Sequence, residues 1–118
     1  MREEYLKELL IQTKWQHTFI FNDDYEKFIE VIADRATVIQ KIEEINAINM
    51  KPWTDEEREI LQQIQALEEE NKAEYMRQIQ EAKDEVKKLN QLMTGHQQYM
   101  NPYGKMLGVG MHFDGGKR

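Results

Sequence analysis

The stretch from Thr54 to Gly95 carries one unbroken helical pattern, and few folds accommodate a chain that contains it. Thr54-Asp55-Glu56-Glu57 reads as a capping box, with the Thr54 hydroxyl on the Glu57 amide and the Glu57 carboxylate reaching back. Beyond it Ile60, Ile64, Leu67, Asn71, Tyr75, Ile79, Ala82, Val86, Leu89 and Met93 recur every three or four residues, with no Pro or Gly among them. Gly95 is the residue type that tolerates the left-handed closing conformation. A helix over about 55–94 would be about 60 Å long, well beyond the usual helix of a small domain. Such a rod needs neighbouring helices, a second chain or a bound segment to cover its apolar seam.

The preceding sequence supplies two neighbours. A helix over about 3–21 places Leu6, Leu9, Leu10, Thr13, His17 and Ile20 on the bundle side. On nearly the opposite side Ile11, Trp15 and Phe19 fall at i, i+4, i+8. A helix apolar on two sides is seldom free on one of them. Two covers for this second stripe stand open: the chain's own tail, or a partner, given the enrichment of Trp at binding hot spots.

Asn22-Asp23-Asp24 breaks the pattern, and Asp23 with Glu26 offers a second capping box for a helix over about 23–49. Its two adjoining stripes, Tyr25, Phe28, Ile29, Ile32, Ala36, Ile39 and Val31, Val38, Ile42, Ile45, suit the middle helix of three. Met50-Lys51-Pro52-Trp53 ends it, and Trp53 is placed to staple the first turns of the long helix.

The expected fold is therefore all-α: an antiparallel three-helix bundle over 1–95 with one long C-terminal helix, followed by an extended non-helical arm over 96–118. Paired with the second helix, the long one should overhang from about Ala82 to Met93. Asn71 reads as a polar residue that sets register. Glu68-Glu69-Glu70 reads as a solvated face, with Glu68–Lys72 and Asp84–Lys88 as supporting pairs. The arm is rich in glycine, yet Tyr99, Tyr103, Met106, Leu107, Met111 and Phe113 make it too apolar for an inert linker. It either folds back on the bundle or docks in another protein's groove.

Little in the chain points to catalysis. There is no Ser and no Cys, so the commonest nucleophiles and thiolate ligands are missing. His17, His96 and His112 have no metal-pair spacing, and His17 reads as a hydrogen-bonded residue at the core edge. No cofactor site is expected. A net charge of -6 argues against nucleic acid, no apolar run is long enough to cross a bilayer, and Met1-Arg2-Glu3-Glu4 is too acidic for a signal peptide. A cytosolic, non-enzymatic protein is expected.

Tyr99-Met100-Asn101-Pro102-Tyr103, then Gly110-Met111-His112-Phe113-Asp114 and the basic end Lys117-Arg118, resemble the C-terminus of Bacillus-type FliT flagellar export chaperones. Length, acidity and a three-helix body are similar as well. The resemblance implies a cytosolic chaperone of flagellar type III export that holds the filament-cap protein FliD by its C-terminal segment. Contacts with export-apparatus components are implied too. In the enterobacterial branch a fourth helix folds back and regulates access to partners; here a Pro- and Gly-containing arm stands in its place.

Chaperoning of this kind needs a rigid helical surface for an amphipathic segment. Ile11, Trp15 and Phe19, the overhang Ala82, Val86, Leu89 and Met93, and the arm residues Tyr99, Tyr103 and Phe113 are the candidates. The same surfaces could instead close a homodimer. A homo-oligomeric coiled-coil scaffold or adaptor with no export client is the competing function.

Overall fold

A computed structural model describes residues 1–82, 85–93 and 103–107, and within them the chain is all helical. Helices α1 (Arg2–Phe21), α2 (Tyr25–Ile48) and α3 (Asp55–Glu81) form the body, with the short α4 (Val86–Met93) and the single turn α5 (Gly104–Leu107) laid against it.

The helix starts are built by side chains. Thr54 accepts from the Glu57 amide at 3.1 Å while Glu57 accepts from the Thr54 amide at 2.9 Å, the reciprocal box its sequence predicts. The cap of α2 falls one residue later than expected. Asp24 is the cap, accepting from the Lys27 amide, and Asp23 takes φ 59°, a left-handed conformation that Asp tolerates better than most residues. That turn reverses the chain within three residues and makes α1 and α2 antiparallel.

Contacts fix the third helix. Arg2 meets Glu57, Thr13 meets Asn71 and Ile20 meets Gln78, so α3 runs parallel to α1 and antiparallel to α2. Asn71 donates to the Thr13 carbonyl at 3.5 Å, in keeping with a polar residue that ties two helices in register.

The expected 55–94 helix is not continuous. Helix α3 ends at Glu81, Ala82 leaves helical geometry at φ -88° and ψ 3°, and the Glu85 amide donates to the Ala82 carbonyl at 2.8 Å. Helix α4 then packs back against α2 and α3, where Leu92 is buried and the Tyr75 hydroxyl donates to its carbonyl at 2.6 Å. No glycine or proline makes this break. A straight overhang would leave Leu89 and Leu92 in water, and burying two leucines is worth about 3–6 kcal/mol, more than a few lost helical hydrogen bonds.

The expectation of a non-helical arm is corrected at residues 104–107, which form the α5 turn. Tyr103, Met106 and Leu107 are buried on the body, and the Leu107 amide donates to the Tyr103 carbonyl at 3.1 Å within the α5 turn. The Met106 carbonyl accepts from Asn46 Nδ2 at 2.9 Å. Tyr99 and Phe113 lie outside the described residues, as do Gly95, His96 and Asp84.

Two apolar clusters make the core. One gathers Leu6, Leu9, Ile39, Ile42, Leu61 and Ile64 with the α5 residues, and Trp53 joins it beneath the start of α3 as a staple would. The other gathers Ile20, Phe28, Ile32, Tyr75, Ala82 and Leu92. Between them lies a layer of buried polar side chains: Thr13, Gln16, Arg35, Glu68 and Asn71.

Candidate functional site

Helix α1 presents the outer ridge that its sequence pattern predicts. Ile11 and Trp15 are 55% and 53% exposed, although both are large and apolar. Trp15 stacks on Phe19 with ring centroids 5.6 Å apart, within the range of favourable aromatic pairs. Phe19 is half-buried because its inner edge packs on the second apolar cluster, and the Lys27 ammonium lies 5.8 Å from its ring. Ile11, Trp15 and Phe19 thus form a continuous ridge anchored at one end. The described part of the C-terminal arm does not cover it, since Tyr103, Met106 and Leu107 go to the first cluster instead.

The overhang candidates are divided. Ala82 is fully buried and Leu89 half-buried against the second cluster, so neither offers itself to a partner as a free surface. Val86 is 69% exposed and Met93 42%, and these two keep an outward face on α4. The reason is the fold-back, which turns the 3.6-residue stripe so that Leu89 and Leu92 face the body.

Polar chemistry concentrates at positions that no local sequence pattern marks. Glu68 is not part of a solvated run: its side chain is 3% exposed, Arg35 Nη2 donates to its Oε2 at 3.1 Å, and Tyr103 donates to the same oxygen at 2.6 Å. The Arg35 guanidinium also lies 5.4 Å from the Tyr103 ring centre. Lys72, the partner expected for Glu68, is replaced by a cation from α2. Glu69 and Glu70 do remain exposed, and Glu70 takes His17 Nε2 at 3.1 Å. His17 sits at the core edge, and its ring stacks on Phe21.

At the opposite end Arg2 ties the chain start to the α2–α3 connection. Nε and Nη2 bond the two Glu57 oxygens at 2.9 and 2.7 Å. The remaining donors reach Asn46 Oδ1 and the carbonyls of Lys51 and Pro52. The guanidinium also lies 4.2 Å from the Trp53 ring centre. Burial pushes the Glu57 carboxyl up, but the bonds from Arg2 and from the Thr54 amide outweigh it and hold the group below the ordinary carboxylate value. An open groove of about 580 Å³ lies beside this cluster, lined by Met1, Ile45, Ile48 and Lys51 among others. All five Arg2 N–H donors are used inside the cluster, so its guanidinium is spent on the fold.

Among the described residues no group of three His, Asp or Glu side chains is placed to hold a metal ion, and no helix is long and apolar enough to cross a membrane. The structure is a helical bundle with an exposed apolar ridge on α1. Comparison of the chain with protein-family models, with curated proteins and with solved structures finds no match.

Proposed function

We propose that this chain is a FliT-type chaperone of flagellar type III export, which holds the C-terminal segment of the cap protein FliD in the cytosol before export. The reading rests on the tail motif Tyr99–Tyr103 and Gly110–Asp114, and on one structural observation: the Ile11–Trp15–Phe19 ridge stands exposed on a 20-residue helix whose opposite face is locked in the core. A rigid apolar ridge accepts an amphipathic helix without reorganising, which keeps the entropic cost of binding low. Val86 and Met93 on α4 offer a second, smaller patch. No catalytic role is assigned to any residue.

The same exposed ridge favours one other reading, a homo-oligomeric scaffold closed ridge to ridge. Size-exclusion chromatography with light scattering separates the two. A chaperone shifts from its own mass to the mass of a heterocomplex when the FliD C-terminal segment is added. A self-associating particle that ignores FliD overturns the chaperone reading.

A further inference from the structure

The layer between the two apolar clusters carries more polar capacity than the described residues satisfy. Gln16 Oε1 and Nε2, Gln12 Oε1, Arg35 Nε, Glu68 Oε1 and Asn71 Oδ1 are buried and have no hydrogen-bond partner among the described residues. Four of the five residues are nearly or wholly inaccessible: Gln16 and Asn71 at 0%, Arg35 at 1% and Glu68 at 2%. They come from all three main helices. The contact between Thr13 and Asn71 sets Gln12 and Gln16 within about a turn of the Asn71 level, and the Arg35–Glu68 pair closes the layer from α2.

Buried polar groups are almost always paired, because an unmade bond forfeits the full cost of desolvation. Six dry atoms in one layer would consume much of the margin that keeps a small domain folded. The donor set identifies what fills the need. Two of the atoms belong to donor groups, Gln16 Nε2 and Arg35 Nε, and four are acceptors. A cation would face the Arg35 guanidinium, and an anion would face the Glu68 carboxylate. Water both donates and accepts, and a buried molecule typically makes about three such bonds, so about two waters match the six atoms.

We infer that Gln16, Arg35, Glu68 and Asn71 form a buried hydration site that holds about two ordered waters and joins the three helices through them. The site gives the fold a seam. The cluster that holds α5 and the cluster that holds α4 meet across polar, hydrated contacts and not across a continuous apolar core, so one end can loosen while the other stays packed.

Two measurements test this on the full chain. A crystal structure that resolves ordered solvent should show waters bonded to Gln16 and to Asn71 Oδ1. Oxygen-17 relaxation dispersion should report long-lived internal water, and the Gln16→Leu/Asn71→Leu variant should lose at least half of that signal while its circular dichroism is kept. If the double variant does not fold, Gln16→Leu alone should lower the signal, since Gln16 contributes two of the unpartnered atoms. A crystal structure in which these side chains bond one another with no water between them overturns the inference. So does an unchanged dispersion signal in a folded variant.

Discussion

Tyr103 donates its phenolic hydrogen to Glu68 Oε2 at 2.6 Å, and Arg35 Nη2 donates to the same oxygen at 3.1 Å. One carboxylate oxygen, deep between α2 and α3, therefore holds both a neighbouring helix and the C-terminal arm. Tyr103→Phe keeps the ring beneath Arg35 but removes a bond to a charged acceptor. A loss of about 2 kcal/mol is expected, read as a lower midpoint in urea unfolding with an unchanged slope. Met106 and Leu107 should then show faster amide exchange than in the wild type.

The Arg35–Glu68 pair should behave as buried ion pairs do. Arg35→Met alone strands a buried carboxylate and should cost about 3–5 kcal/mol, whereas Arg35→Met/Glu68→Leu should recover most of that loss. A double-mutant cycle by chemical denaturation measures the difference. If the double variant is as unstable as the single one, the pair contributes through packing and not through charge.

Three body helices, the Thr54 cap and the outer ridge on α1 were legible because each is written in local spacing. Capping needs residues three apart, and a helix face needs residues three and four apart. The polar layer was not legible. Arg35 and Glu68 are 33 residues apart, and Glu68 sits in a run of three glutamates that looks solvated until α2 is packed against it. The fold-back after Glu81 was hidden for a related reason: no Gly or Pro marks the break, and burial of Leu92 against Tyr75 and Phe28 decides it. Arg2 gave no signal either, since its partners come from the far end of α2 and the start of α3.

Stability should fall in acid through Glu57. Its folded carboxyl lies below the ordinary value of 4.5, so its contribution is present above that pH and is lost as the pH falls through the folded value. Thermal unfolding of the wild type and of Glu57→Gln, followed from neutral pH downward, should converge as the pH falls through the lowered folded value. Arg2→Ala should flatten the same profile, because it removes the bonds that lower the carboxyl.

At the other end of the pH scale Tyr75 is the reporter. Burial pushes its hydroxyl up from 10.0 to about 12, so the stability it confers is complete below pH 10 and is lost as the pH rises through 12. Ultraviolet titration should show Tyr75 ionising late, at about pH 12. Tyr75→Phe removes that late step and frees the Leu92 carbonyl. Hydrogen exchange should then accelerate in α4 while α1 and α2 keep their protection.

The most direct test is a calorimetric titration of the FliD C-terminal segment into the wild type and into Trp15→Ala. The ridge account predicts binding by the wild type and at least tenfold weaker binding by Trp15→Ala, with no change in unfolding midpoint, because Trp15 is already half in solvent. Equal affinity of the two proteins, or no binding by the wild type, would contradict it.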